Sequence, residues 1–316
     1  MRKTVEAVGT LLCAATICLS VPGDTTARGR EETAEKTEDA PKEAAKSRAD
    51  ASSLEMVKRY LDAVGGRDTL LAIDDRTVEF KNRNLAGGRD TTAEIALYIK
   101  RGKKPGDPEK VREEWELPGF QIGGAPLFFI QAWDGEDGWV QMAGKVNPLQ
   151  GRTLEVFLWQ KILDDFFLHW SELGYRLKYK GKDKVKIPER AAEDDDGDGD
   201  GDDNDGEPGK KASEEEAYVV EAASKAMELR FFFSGKTGLL LKKSWRDDRA
   251  PGKPLKEEFY GEYKPISFTG KDGQKRKVLC PLRLDVYTDG QPTQTRRFTR
   301  IQFNKKLSDK LFDRPQ

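Results

Sequence analysis

The stretch Phe128-Phe129-Ile130-Gln131-Ala132-Trp133-Asp134-Gly135-Glu136-Asp137-Gly138-Trp139-Val140-Gln141-Met142 contains two short runs of apolar and aromatic residues. Between them, Asp134-Gly135-Glu136-Asp137 is a compact, Gly-bearing connection, so strands are expected over 128–133 and 138–142, joined as a hairpin. Working outward, the same period of two recurs. Val78 and Phe80 alternate with Glu79 and Lys81, which places one set of side chains on each face of a strand. Comparable runs occur at 93–100 and 110–117 before the hairpin. After it they occur at 175–179, 184–187, 217–222, 227–233, 239–245, 256–263, 277–287 and 294–304.

Three helical segments interrupt this series. Ser52-Ser53-Leu54-Glu55 fits a capping box, and Leu54, Val57, Tyr60, Leu61 and Val64 recur at helical spacing before Gly65-Gly66. A short helical turn is expected over 68–73. A longer helix is expected over 152–173, with Val156, Trp159, Ile162, Leu163, Phe166, Phe167 and Trp170 on one face and Gln160, Lys161, Asp164 and Asp165 opposite. Leu154, Phe157, Leu158 and Leu168 fall outside that face, so more than one side of this helix is expected to be packed. The fold class is therefore mainly β with helices (α+β): a curved antiparallel sheet forming an incomplete barrel, covered by helices.

The N-terminus reads as an export signal over 1–27. Arg2 and Lys3 precede an apolar run over 7–20 that is shorter than the ~20 residues needed to span a bilayer, and small residues follow it. Leu12 and Ile17 precede Cys13 and Cys18, where a lipid-anchor signal would place a small residue. Residues 28–53 are charged and nearly free of large apolar side chains, which predicts a flexible leader. The remainder, 54–316, is expected to form one domain. After signal removal Cys280 is the remaining thiol, so no intramolecular disulfide is available and the fold must depend on packing.

The net charge of −1 conceals a division. Residues 193–216 carry −11 and residues 1–53 carry −1, which leaves +11 on the folded remainder. Such an excess favours polyanions or anionic lipid by long-range attraction, and equally suits a solvated surface neutralised by its own acidic loop. Arg230-Phe231-Phe232-Phe233 has strand alternation rather than the pattern of an RNA-binding motif, so no nucleic-acid partner is expected. The region 188–216 reads as a disordered acidic insertion in a hairpin loop. Within it Asp196, Asp198, Asp200, Gly201, Asp202, Asn204 and Glu207 match the ligand spacing of a calcium loop. A low-complexity Asp/Gly tract generates such matches cheaply, Asp203 stands where an apolar residue is expected, and neither flank reads as a helix. No metal site is assigned.

From Tyr60-Leu61-Asp62-Ala63-Val64-Gly65-Gly66 onward the chain resembles bacterial outer-membrane lipoprotein-sorting-like proteins of the LolA/LolB half-barrel superfamily. The resemblance continues through Ala132-Trp133-Asp134-Gly135-Glu136-Asp137-Gly138-Trp139 and Phe259-Tyr260-Gly261-Glu262-Tyr263-Lys264-Pro265. It ends in Cys280-Pro281-Leu282-Arg283-Leu284 and in Phe303-Asn304 with Leu311-Phe312-Asp313-Arg314-Pro315. It implies an incomplete antiparallel barrel whose helices cover an apolar interior able to hold acyl chains. The acidic insertion departs from the family pattern. The same architecture also serves sensors and protein-binding modules.

Catalysis needs a nucleophile, a base and an orienting group together, and the sequence offers His169 as its single His and Cys280 before a Pro. Both read as structural, so the chain is expected to be non-catalytic and to need no cofactor. Trp115, Trp133, Trp139, Trp159, Leu163, Phe166 and Phe167 are the candidate ligand-binding residues. Ordinary core filling would use the same residues at the same spacing. The expected function is an exported periplasmic or secreted carrier of a lipid, lipoprotein acyl chain or similar amphiphile, with a transient membrane or protein partner. The competing expectation is an envelope protein-binding or sensor module with a filled interior.

Overall fold

The computed structural model describes residues 49–85, 91–102, 109–122, 125–159, 163–188, 213–224, 227–246 and 252–315. The expected signal, most of the expected leader, and the acidic tract with its calcium-like spacing lie outside these residues.

Two helices come first, α1 (Ala51–Val64) and α2 (Arg67–Leu71). Six strands follow: β1 (Asp75–Asn84), β2 (Thr91–Lys100), β3 (Lys110–Ile122), β4 (Ala125–Trp133), β5 (Gly138–Met142) and β6 (Lys145–Leu149). Then come α3 (Gly151–Trp159) and α4 (Leu163–His169). The chain closes with β7 (Arg176–Ile187), β8 (Ser213–Ala223), β9 (Glu228–Ser234), β10 (Leu240–Arg246), β11 (Leu255–Thr269), β12 (Lys275–Thr288) and β13 (Gln291–Phe303), and a 3-10 turn at Asp309–Leu311.

The 13 strands form a single open antiparallel sheet in the order β6-β5-β4-β3-β2-β1-β13-β12-β11-β10-β9-β8-β7. Each strand pairs with its sequence neighbour except at the middle, where β1 pairs with β13, and at the two edges, β6 and β7. The hairpin read from 128–142 is present: Ala132 pairs with Trp139, and the Asp134 carboxylate accepts from the N–H groups of Glu136 and Asp137, each at 2.8 Å. Gly138 lies so close to β6 that a Cβ there would stand 2.5 Å from the Leu149 carbonyl.

Several sequence expectations are corrected. The N-cap of α1 is Asp50, not Ser52: its Oδ1 accepts from Ser53 N–H at 2.7 Å, so the helix begins inside the expected leader. The other carboxylate oxygen of Asp50 accepts from Tyr179 N–H at 2.8 Å, which ties the helix start to β7. Burial pushes the Asp50 carboxyl up, but the bonds from Ser53 and Tyr179 outweigh it and hold the group below the usual carboxylate range. Strand β6 was not among the expected runs; it is an edge strand, which tolerates Pro148. Strand β7 is continuous across Gly181, where two strands were expected.

The acidic insertion, expected over 188–216, ends earlier than expected. Strand β8 begins at Ser213, because Glu214 and Glu216 pair with Lys184 and Lys182 of β7, each at 2.9 Å. Of the helix expected over 152–173, Gly151–Trp159 and Leu163–His169 are helical in the described residues, and the helix ends at His169 rather than 173, before a turn closed by Tyr175 N–H on the Trp170 carbonyl. Residues 160–162 between them lie outside the description. The apolar residues outside one face have packing partners of their own. Phe157, Leu154 and Leu158 pack with Ile99, Val111 and Leu149, whereas Phe166, Phe167 and Leu168 pack with α1.

A knot of hydrogen bonds fastens the central seam. Asn304 follows β13 with φ +57°, a backbone region that Asn tolerates better than most residues. Its Oδ1 accepts from Asp74 N–H at 2.8 Å, and its Nδ2 donates to the carbonyls of Ala72 at 2.9 Å and Thr269 at 3.1 Å. The Asp75 carboxylate accepts from Lys305 N–H at 2.7 Å and Leu307 N–H at 3.2 Å. Replacing Asn304→Ala removes three side-chain bonds, two of them to carbonyls beside packed elements. The expected loss is about 2–3 kcal/mol, read as a lower urea midpoint at unchanged slope. A change below about 0.5 kcal/mol would show that the seam does not depend on Asn304.

Candidate ligand-binding face

Strand register assigns side chains to faces. Phe80 stands opposite Ile95, Ile95 opposite Trp115, Trp115 opposite Phe129 and Phe129 opposite Met142; in the other direction Phe80 stands opposite Phe298. Arg76, Val78 and Asn82 share the face of Phe80, and through Ile99 and Val111 that face continues to α3. Asn82 stands opposite Arg296 and Arg296 opposite Leu284; Leu284 is opposite Tyr260. Glu258 is opposite Lys243, and Lys243 opposite Phe231, which packs on α4. One face therefore carries both α3 and α4.

That face has two unlike sectors. Over β7–β12 it is filled by side chains from the helices. Phe167 meets Tyr60, Phe166, Phe231 and Phe233 at ring-centroid distances of 5.0, 5.1, 4.7 and 5.4 Å, mostly edge to face. Val57, Leu61, Val64 and Leu70 complete the same buried cluster. Over β1–β5 the apolar cluster consists of Phe80, Ala93, Ile95, Leu117, Leu127 and Phe129, with Val78, Leu97, Trp115, Phe120, Val140, Met142 and Phe298 packed against it. Every one of these residues comes from a strand, and Leu97 also packs at the border with Phe157, Leu154 and Leu158 of α3.

A polar tract lies between and beside the two sectors. The Lys243 ammonium is 2.6 Å from Glu258, and the Tyr260 hydroxyl donates to Glu258 at 2.7 Å. Burial pushes the Lys243 ammonium down, with Glu258 drawing it part of the way back. Burial also pushes the Glu258 carboxyl up, but Lys243, Arg296 and the hydrogen bonds hold it below the usual carboxylate range. Burial and the adjacent Glu258 charge raise the Tyr260 phenol well above its ordinary value. Tyr260 thus serves as a donor to Glu258. Asn82 is 6% exposed, and its Oδ1 has no hydrogen-bond partner among the described residues; the buried Trp115 Nε1 also has none.

The residues singled out by sequence do not form one site. Trp115 stacks on Phe129 at 5.2 Å within the strand-only cluster, while Trp133 packs beside α3 with Leu149 and Phe157. Phe166 and Phe167 belong to the filled sector. Trp139 is on the opposite face, fully buried beneath the C-terminal segment, and its Nε1 donates to the Phe312 carbonyl at 3.1 Å. The side chains of Trp159 and Leu163 lie outside the description. His169 ends α4, and Cys280 is buried in the filled sector. Asn82, Lys243, Glu258 and Arg296 were missed. Their signal was present as polar residues at inward parity, for example Asn82 two residues after Phe80.

Similar folds occur among solved structures. A DUF1329 family protein from Desulfovibrio piger matches with a TM-score of 0.52 at 15% identity, covering 83% of this chain and 96% of that one. A protein domain from Vibrio parahaemolyticus described as outer membrane lipoprotein-sorting matches at 0.48 and 12% identity, over 83% and 96% of the two chains. A LolA superfamily protein from Nitrosomonas europaea matches at 0.44 and 12% identity, over 83% and 97%. No family model matches the sequence, and no curated protein matches it. The likeness is one of fold. The match above a TM-score of 0.5 is to the DUF1329 protein, and no ligand follows from it.

The buried pair gives a stability test. Glu258→Gln leaves the Lys243 ammonium buried without its counter-charge and is expected to cost about 3–5 kcal/mol, most of which Lys243→Met combined with Glu258→Met should recover. Because the folded Glu258 carboxyl lies below its unfolded value, its contribution is present above the unfolded pKa and is lost as pH falls through the folded one. The difference between wild type and Glu258→Gln should therefore shrink in acid when both are unfolded in urea. A difference independent of pH across that window would contradict this assignment.

Proposed function

We propose that the chain is an exported, non-catalytic carrier that holds a lipid, a lipoprotein acyl chain or a similar amphiphile against the strand-only apolar sector of β1–β5. The observation that supports this reading is the composition of that sector. Phe80, Ile95 and Phe129 are buried with Leu97, Trp115 and Met142 around them, on the same face as α3 and α4 but with no helical residue among them. Of the residues first considered, Trp115 is the ligand contact in this reading, Trp133 packs beside α3, and Phe166 and Phe167 hold the adjoining filled sector together. Burial of acyl surface at roughly 25 cal/mol per Å² would supply the affinity, with little directional chemistry.

One observation favours a second reading, a protein-binding or sensor module. The β7–β12 half of the face is filled by α1, α2 and α4, as a module with a packed interior would require.

Titration with a dansyl-labelled undecanoic acid separates the two. The carrier reading expects saturable binding that weakens about fivefold or more in Leu97→Asn and Met142→Asn, whose wild-type side chains are only partly buried. Phe167→Leu should lower the thermal midpoint and leave binding nearly unchanged, because that ring belongs to the filled sector. If wild type shows no saturable binding, or if the folded Leu97 and Met142 variants bind as wild type does, the protein-binding module is the better account.

A further inference from the structure

The polar tract borders the apolar sector in an order that strand register fixes. One row across the sheet reads Ile95, Phe80, Phe298; the next reads Ala93, Asn82, Arg296. An apolar surface therefore meets a polar row one residue pair away, about 7 Å along the strands. In the polar tract that includes this row the hydrogen bonds are unequally committed. Glu258 is taken up by Lys243 at 2.6 Å and by the Tyr260 hydroxyl at 2.7 Å. Arg296 donates one nitrogen to the Gln294 amide oxygen at 3.3 Å and, among the described residues, forms no ion pair. A guanidinium has five donors, so most of the capacity of Arg296 is unspent. Asn82 Oδ1 beside it is a buried acceptor without a donor, an arrangement that costs free energy unless something else completes it.

We propose that this face takes an amphiphile whose head group combines an anionic oxygen with a neighbouring N–H or O–H donor: Arg296 holds the anionic oxygen, Asn82 Oδ1 accepts from the donor, and the chain lies over the partly buried Phe298, Val78 and Leu97 that surround Phe80 and Ile95. This rests on the carrier reading and adds the chemical class of the head group. Each half of such a ligand has its counterpart. A carboxylate or phosphate oxygen takes the guanidinium fork as a charge-assisted bond, the adjacent donor completes Asn82, and the acyl chain covers the rings that β1 and β13 present. A neutral, donor-free lipid would leave both polar groups unmet beneath it, and that mismatch would disfavour it.

Competition against the dansyl-labelled fatty acid tests the assignment with three ligands of one chain length. N-palmitoylglycine has the anion and the N–H, palmitate has the anion alone, and N-palmitoylglycinamide is neutral. In wild type N-palmitoylglycine should bind about tenfold more tightly than N-palmitoylglycinamide. Arg296→Gln should abolish that preference, and Arg296→Lys should restore part of it. Asn82→Leu should weaken N-palmitoylglycine and leave palmitate nearly unchanged. Thermal midpoints confirm that the compared variants are folded, and Arg296→Lys provides the reading if the glutamine variant does not fold. If wild type binds all three ligands equally, or Arg296→Gln keeps the anion preference, the head-group assignment is wrong while the carrier reading survives. If wild type binds neither the probe nor any of the three, both fall together.

Discussion

The pairing of β1 with β13 is the constraint on which the rest of the structure depends. Every other strand pairs with its sequence neighbour and could form from local hairpins; this seam joins residues near the two ends of the described chain. Register across it, from Arg76 opposite Phe303 to Asn84 opposite Gln294, decides whether the two halves present a continuous face. A slip of one residue would turn Phe80 and Phe298 to different faces and would separate Asn82 from Arg296. The bulge between Glu79 and Phe80 and the bonds of Asp75 and Asn304 fix that register from within the strand and from its end. Closing so long a loop costs only a little more entropy than closing a shorter one, so a few well-placed bonds at the seam can be sufficient.

The seam is also held from behind. After Asn304 the chain runs along the opposite face, where Lys100 donates to the Leu307 carbonyl at 2.8 Å and pairs with Asp309 at 3.1 Å. Arg112 donates to the Leu311 carbonyl at 2.9 Å and lies over the Trp139 ring at 5.6 Å, and Phe312 is fully buried. The aromatic-Asp-Gly hairpin and the Leu311-Phe312 ending, separate motifs in the sequence, are two sides of one contact. Trp139 thus serves the fold by fastening the last residues to β5.

How much was legible in the sequence follows from which patterns are local. Strand alternation and the Asp134–Asp137 connection are local, and the β-rich class and most strands follow from them. The partners of α3 and α4 were not legible, because apolar residues occur all around 154–168 and a pattern of that kind does not state which neighbour each one meets. The Asp50 cap was hidden behind a plausible Ser52, since the choice is made by Tyr179, more than a hundred residues away. The candidate site was only partly legible for the same reason. Large aromatics mark inward positions, but Trp133 and Trp139 fall on opposite faces through the hairpin register. The row of Asn82 with Arg296 exists only once β1 and β13 are paired.

The two unlike sectors of the helix-bearing face assign stability and binding to different places. The rings of Tyr60, Phe166, Phe167, Phe231 and Phe233 bury one another, so that half of the sheet is packed by its own side chains. The other half has a layer of strand side chains with a polar row at its border. Charged and amide groups beside an apolar layer oppose simple collapse, because dry packing over them would strand Arg296 and Asn82. Replacing that row with leucine would be the simpler way to stabilise the sheet, and the sequence does not take it. A surface that is costly to cover with hydrocarbon alone, next to one that is costly to leave wet, is matched by a molecule that is itself divided in the same way. That match links the seam to the proposed ligand, since β1 and β13 supply both halves of it in adjacent rows.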